Sequence, residues 1–149
     1  MNEIILSTIP FLMDGLLMTF KISLLTIFFG SLIGVVVGML RSLDYAVITY
    51  PLGAYIHVLR GTPFLIHLYL VYFMLPMTGI SWLQLEAFPA AVIALSMYTS
   101  TYVAEIVRSA IQAVPRGQSE AARSIGMTAL QSMWYGVLPQ AVKLVIPPM

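Results

Sequence analysis

Polar and apolar positions divide this chain into long hydrophobic stretches separated by short polar breaks. Residues Met1 to Leu17 are apolar but interrupted by Pro10 and Asp14, which predicts an interfacial segment rather than a crossing. Lys21 follows, and Ile22 to Leu40 then runs without a charge, long enough to cross a hydrocarbon core. A first span is therefore expected at about 16–40, ended by Arg41 and Asp44. Tyr50-Pro51 marks a break. A second run rises from Ala54, carries Arg60-Gly61-Thr62-Pro63 near its entrance and continues to Leu75-Pro76, giving a span at about 55–76. Arg60 at such an edge reads as a snorkelling anchor. The stretch from Met77 to Glu86, with Trp82 at its centre, predicts an interfacial turn. A third span is expected at about 87–107.

Small and polar residues inside these stretches carry the next layer. Gly30, Gly34 and Gly38 recur every four residues, forming one flat stripe on which another helix can pack closely; glycine is also simply common in membrane helices. The third stretch is unusually polar, with Ser96, Tyr98, Thr99, Ser100, Thr101 and Tyr102 followed by Glu105 and Arg108. Hydroxyls in hydrocarbon either bond their own helix backbone or face a partner or a water-filled path. Tyr98, Thr99, Thr101 and Glu105 are the candidates for a path wall. A carboxylate there is costly and needs a partner, and Arg108, three residues on, supplies one.

The last third changes character. Between Arg116 and Lys143 the chain acquires helix punctuation that a span would not carry. Gly117 with Glu120 three residues later predicts a helix start, the carboxylate meeting the free backbone N–H groups. Gly126 predicts a stop in the left-handed conformation, and Thr128 with Gln131 predicts a capping box that begins a second helix. Pro139 is expected to break or kink it. The expected element is two short helices around a glycine corner over about 115–140, a docking element or an ordinary polar loop with two helical turns. Beyond it, Ala141 to Ile146 turns apolar again before Pro147-Pro148-Met149, like the entry to a further span.

Composition narrows the class. The 149 residues are 60% hydrophobic and 9% charged, against about 25% charged in ordinary soluble domains. That places the chain in a lipid bilayer. A net charge of +1 excludes a phosphate-binding basic face, so no nucleic-acid partner is expected. With no cysteine, and with His57 and His67 lacking a second ligand at suitable spacing, neither a metal site nor another cofactor is predicted. Glu3 and Asp14 do not fit a cleavable signal. Arg41, Arg60, Arg108, Arg116, Arg123 and Lys143 fall before the second span or after the third, and the loop between those spans has only Glu86. By the positive-inside rule the 108–143 region is cytoplasmic and the N-terminus outside, with Lys21 the exception.

Glu120-Ala121-Ala122, Gly126 and Leu138-Pro139 stand in the order and spacing E-A-A-x3-G-x9-I-x-L-P. They resemble the EAA loop of permease subunits in ABC importers. Gly136 departs from the pattern, standing where the family has isoleucine. Arg60-Gly61-Thr62-Pro63, Tyr72-Phe73-x-Leu75-Pro76, Tyr102-x-x-Glu105-x-x-Arg108, Gly117-Gln118 and Leu138-Pro139-Gln140-Ala141 extend the likeness over nearly the whole chain. They are similar to the polar amino-acid uptake branch, which includes glutamine, histidine and cystine importers.

The resemblance implies an all-α fold, a polytopic transmembrane helix bundle with a cytoplasmic helix–turn–helix coupling loop, in the bacterial inner membrane. Members usually have about five spans, so three spans plus the loop are expected to be a permease domain truncated at its C-terminus. The implied partners are an ATP-binding cassette ATPase subunit, a second permease subunit (homo- or heterodimer) and an extracytoplasmic amino-acid-binding protein. ATP hydrolysis is expected in the ATPase subunit, with no catalytic residue here. Glu120, Ala121, Ala122, Gly126, Leu138 and Pro139 are the implied docking residues. The alternatives are an ion-coupled secondary transporter fragment, with Glu105 carrying the ion, and a membrane assembly subunit without a transport role.

Overall fold

A computed structural model describes residues 2–43 and 45–145, all of them helical or in turns. Asp44 and the Ile146–Met149 tail, assigned above to a span end and to the start of a further span, lie outside the described residues. The fold is all-α, with up to three long apolar stretches able to cross a membrane.

Helix α1 (Asn2–Arg41) is a single helix of 40 residues, about 60 Å long. Pro10 lies inside it, so the expected interfacial segment broken at Pro10 and Asp14 is instead the first third of this helix. One proline removes one hydrogen bond, and the remaining bonds have no competing water in an apolar setting. Helix α2 (Ala46–Gly61) follows the turn after Arg41.

The second apolar run is not one straight helix. Helix α3 (Phe64–Tyr69) is bent 106° from α2 at Thr62-Pro63, and continues through a π turn (Leu70–Met74) and a 3-10 turn (Pro76–Thr78). The cause is local. A residue preceding proline is pushed out of the α region, and Thr62 takes φ −117°, ψ 146°. Gly79, at φ +76°, and a 3-10 turn at Ser81–Leu83 then lead to α4 (Ala87–Ala113), which runs six residues beyond the expected end at Val107.

Helix α4 is the axis on which everything else packs. Three apolar clusters lie along it: Val71 with Ala90 and Ala94 at its start, Val37 and Ile56 with Ala104 at its middle, and Val137 and Ala141 with Ala110, Ile111 and Val114 at its end. The glycine stripe of α1 makes the longest of these contacts. A Cβ built on Gly30, Gly34 or Gly38 would collide with Thr99, Val103 or Val107 respectively, so the two helices run parallel in constant register. At Gly34 that Cβ would stand 2.8 Å from the Ser100 carbonyl oxygen, an approach only glycine permits.

Past α4, α5 spans Arg116–Ser124, and a second arm runs from α6 (Ala129–Gln131) through a π turn (Ser132–Val137) into α7 (Leu138–Val145). Pro139 therefore sits within a continuing helical path; the expected break is replaced by the π turn before it. Both Leu-Pro steps, at Leu75-Pro76 and Leu138-Pro139, follow a π turn. A proline ring presses on the carbonyl four residues back and cannot bond it. A wider turn moves that carbonyl aside.

Candidate functional site

Two sites emerge, one at the corner of the bent span and one past the end of α4. The corner is opposite the middle of α4. Tyr55 of α2 bonds Ser100 (2.8 Å), and the Arg60 guanidinium lies over the Tyr102 ring, 4.6 Å from its centroid. Phe64 of α3 packs against the Tyr98 ring at 5.4 Å between centroids. Arg60 is thus no anchor at a span edge: it is held against the central turns of α4 by a cation–π contact. Tyr98 and Tyr102 share a hydrogen bond of 2.9 Å between their hydroxyls.

Glu105 stands one turn further along α4. It is bound by Arg108, whose Nε is 3.0 Å from Oε1 and whose terminal nitrogen reaches the same oxygen. Its other oxygen accepts from Arg41 at 2.7 Å. The Arg108 pair was legible as an i, i+3 spacing; the Arg41 pair, between residues 64 positions apart, was not. Arg108 also donates to Gln112 at 2.9 Å. Three guanidinium groups and one carboxylate thus meet within two turns of α4, leaving this region net positive.

Two cavities open on these charges and share Arg60 and Glu105 as a wall. One, about 630 Å³, is lined by Tyr102, Ile106, Ser109, Leu144 and Val145 among others. The other, about 300 Å³, adds Arg41, Gly53, Ile56 and His57. A larger apolar groove of about 640 Å³, between Met18, Leu68, Tyr72 and Phe88, lies away from the charges.

The hydroxyl-bearing residues of α4 divide by face. Thr101 is fully buried and donates to the Tyr98 carbonyl at 2.7 Å, the back-bonded arrangement. Thr99 packs on Gly30 in the α1 contact. Of the four path candidates, Tyr98 and Glu105 are in the charged region, and Thr99 and Thr101 serve helix packing. Arg60, Tyr102, Arg41 and Tyr55 join them; Arg41 could have been found one turn beyond Gly38, on the glycine face that meets α4.

The second site is the α5–α6 corner. The N-cap of α5 is Pro115, not Gly117: Gln118 N–H donates to the Pro115 carbonyl at 3.0 Å. Pro115 is already held extended at φ −56°, ψ 133°, so the helix begins at Arg116. Glu120 consequently sits in the second turn, exposed, past the free N–H groups it was expected to meet.

The stop at Gly126 is found as expected, with φ +91°. Met127 N–H donates to the Ala122 carbonyl (3.2 Å) and Gly126 N–H to Arg123 (3.0 Å), which together form a Schellman motif. Thr128 and Gln131 make the expected capping box, with bonds of 3.2 and 2.9 Å.

The arms meet through small and polar residues. Ala122 lies 4.0 Å from where a Gly136 Cβ would be, ordinary contact distance, so the glycine in place of isoleucine leaves the pairing of the arms intact. Ser119 bonds Ser132 at 3.2 Å and Gln118 bonds Gln140 at 3.2 Å. Glu120, Ala121, Gly126 and Pro139 remain exposed, while Leu138 packs on the end of α4.

Residues 30–149 match the family described as binding-protein-dependent transport system inner membrane component, and the chain belongs to that family. It is 39% identical over 137 residues to the probable glutamine ABC transporter permease protein GlnM of Bacillus subtilis (strain 168), covering 92% of this chain and 62% of that one. It is 37% identical over 139 residues to the arginine transport system permease protein ArtQ of the same organism, covering 93% and 63%. A solved structure, described as an amino acid ABC transporter with histidines, superposes with a TM-score of 0.81 at 40% identity, covering 96% of this chain and 65% of that one. The chain thus spans under two thirds of the length of these proteins.

Proposed function

We propose that this chain is the membrane-spanning permease subunit of an ATP-driven amino-acid importer. In this reading the broken span and the middle of α4 form part of the translocation path. The observation that carries it is the bend of 106° that sets Arg60 against Tyr102 beside Glu105. Ionisable groups and interrupted helices inside an apolar bundle belong where a polar solute must pass. The net positive charge suits the carboxylate common to all amino acids, and relatives carrying different amino acids leave the side-chain preference open.

The α5–α6 corner is the coupling element. Its exposed face, Glu120, Ala121 and Gly126, would enter a groove of an ATP-binding cassette ATPase subunit, with Leu138 and Pro139 fixing the second arm. A second permease subunit would complete the path, and an extracytoplasmic binding protein would deliver the solute. The 108–143 region is then cytoplasmic and the N-terminus of α1 outside. Both Glu105 oxygens are engaged by guanidinium groups, which favours a fixed polar wall over a carboxylate that exchanges a coupling ion.

The test is uptake of radiolabelled amino acids into vesicles reconstituted with the chain and its partner subunits. Arg60→Ala should abolish uptake while ATPase co-purification stays intact, and Glu120→Lys should lower both. Full uptake by Arg60→Ala would remove the corner from the path.

A further inference from the structure

The corner at Thr62-Pro63 is tied by one side chain. His67, on α3, is buried, and its Nε2 lies 2.7 Å from Thr62 Oγ1. The Thr62 hydroxyl already donates its hydrogen to the Val58 carbonyl at 2.9 Å. It can therefore only accept from the ring, and Nε2 carries the hydrogen. The result is a chain of two bonds, His67 to Thr62 to Val58, that runs from α3 through the corner into the last turn of α2. His67 Nδ1 is buried and meets no hydrogen-bond partner among the described residues, so this bond is the ring's polar anchor. Across α4 the ring faces Tyr98, 6.1 Å between centroids, and Tyr98 in turn touches Phe64.

We infer that His67 is a positioning residue, a brace that holds the bend between α2 and α3 and thereby sets Arg60 against Tyr102. Proline alone does not define the bend. It forbids the α conformation at Thr62 but leaves a broad range of extended ψ, and so of directions for α3. The two-bond chain selects one of them. The donor is the essential feature, so a side chain with an N–H at similar reach should substitute. The value of the brace to transport rests on the path reading above; the brace itself does not.

The test is a distance measurement on the full chain in phosphatidylcholine nanodiscs. The chain has no cysteine, so spin labels on Val47→Cys and Met77→Cys, both on exposed positions, report this bend alone. From helix rise the labelled Cα atoms are about 25–30 Å apart when bent, against about 40–45 Å if the two limbs straightened. The parent pair and His67→Gln should give one narrow short distance. His67→Leu and Thr62→Val should each broaden it and move its centre outward by more than about 5 Å, a fraction of that range.

An unchanged distribution in His67→Leu overturns the brace, as does a His67→Gln distribution as broad as that of His67→Leu. Should His67→Leu fail to insert, Thr62→Val decides: it keeps the corner's shape and removes only the hydroxyl, and an unchanged distance there overturns the proposal. Because the readout is geometric, a failed brace and a failed path assignment are told apart: the first shows in distances, the second in uptake.

Discussion

Arg41, the last residue of α1, reaches Glu105 in α4 at 2.7 Å, and the same carboxylate holds Arg108. One acidic group therefore ties the ends of two parallel helices whose glycine stripe already brings their backbones together. The pair is part-buried, with side chains 15% and 30% exposed, so it gains more than a surface ion pair and costs more when broken.

Glu105→Gln should lower thermal stability in detergent by roughly 1.5–3 kcal/mol, the scale of a hydrogen bond to a charged group. Reversing only Glu105 and Arg108 should fail to restore it, because Arg41 would then face a second guanidinium. Full rescue by that double swap, read from tryptophan fluorescence melts, would mean that Arg41 contributes nothing.

Gly34→Ala places a methyl group against the Ser100 carbonyl and Val103, both on α4. We expect a loss of about 1–3 kcal/mol, as for other overpacked contacts. Gly15→Ala, with nothing within 4 Å, should instead stabilise by about 0.5–1 kcal/mol. Melting curves of the two variants side by side check the contrast.

Gly126→Val meets no neighbour, so its whole effect is backbone strain at φ +91°. That costs roughly 1–2 kcal/mol, too little to unfold the bundle but enough to splay the two arms. Membrane abundance should hold while ATPase co-purification and uptake fall together. Gly126→Asn, which tolerates the left-handed region, should retain most of both. Equal behaviour of Val and Asn would exclude the corner geometry as the cause.

Arg60→Lys keeps the charge and loses the planar face on Tyr102. A cation–π contact contributes about 0.5–2 kcal/mol, so uptake should fall roughly 2–30-fold at unchanged protein level. Tyr102→Phe, which keeps the ring, should fall less. Vesicle uptake at saturating amino acid distinguishes them.

What was legible in the sequence was local. The Thr128 capping box, the Gly126 stop and the Glu105–Arg108 pair each lie within four residues, where helix geometry alone decides. The glycine stripe announced a close neighbour without naming it. The bend at Thr62-Pro63 carried its signal too, but the apolar run on both sides outweighed one dipeptide, and so Arg60 was placed at an edge. Pro10 and Pro139 misled in the opposite sense: one was expected to break a helix that absorbs it, the other a path that a π turn carries past. The start of α5 slipped because Pro115 caps without any side-chain bond, while Gly117 with Glu120 looked like the stronger signal. Arg41 with Glu105 required the register of two helices far apart in sequence, which no pattern along the chain contains.

The π turn from Ser132 to Val137 makes this arm sensitive to length rather than to residue type. Losing one residue between those positions would return the turn to an α winding and leave the helix unbroken. Everything beyond would rotate by about 100° about the axis. Ala141 would swing away from Ala110 and Ile111, and Val142 or Leu144 would be carried toward their place. Substitutions across this stretch should be absorbed one at a time, whereas a single codon deleted from it would uncouple α7 from α4.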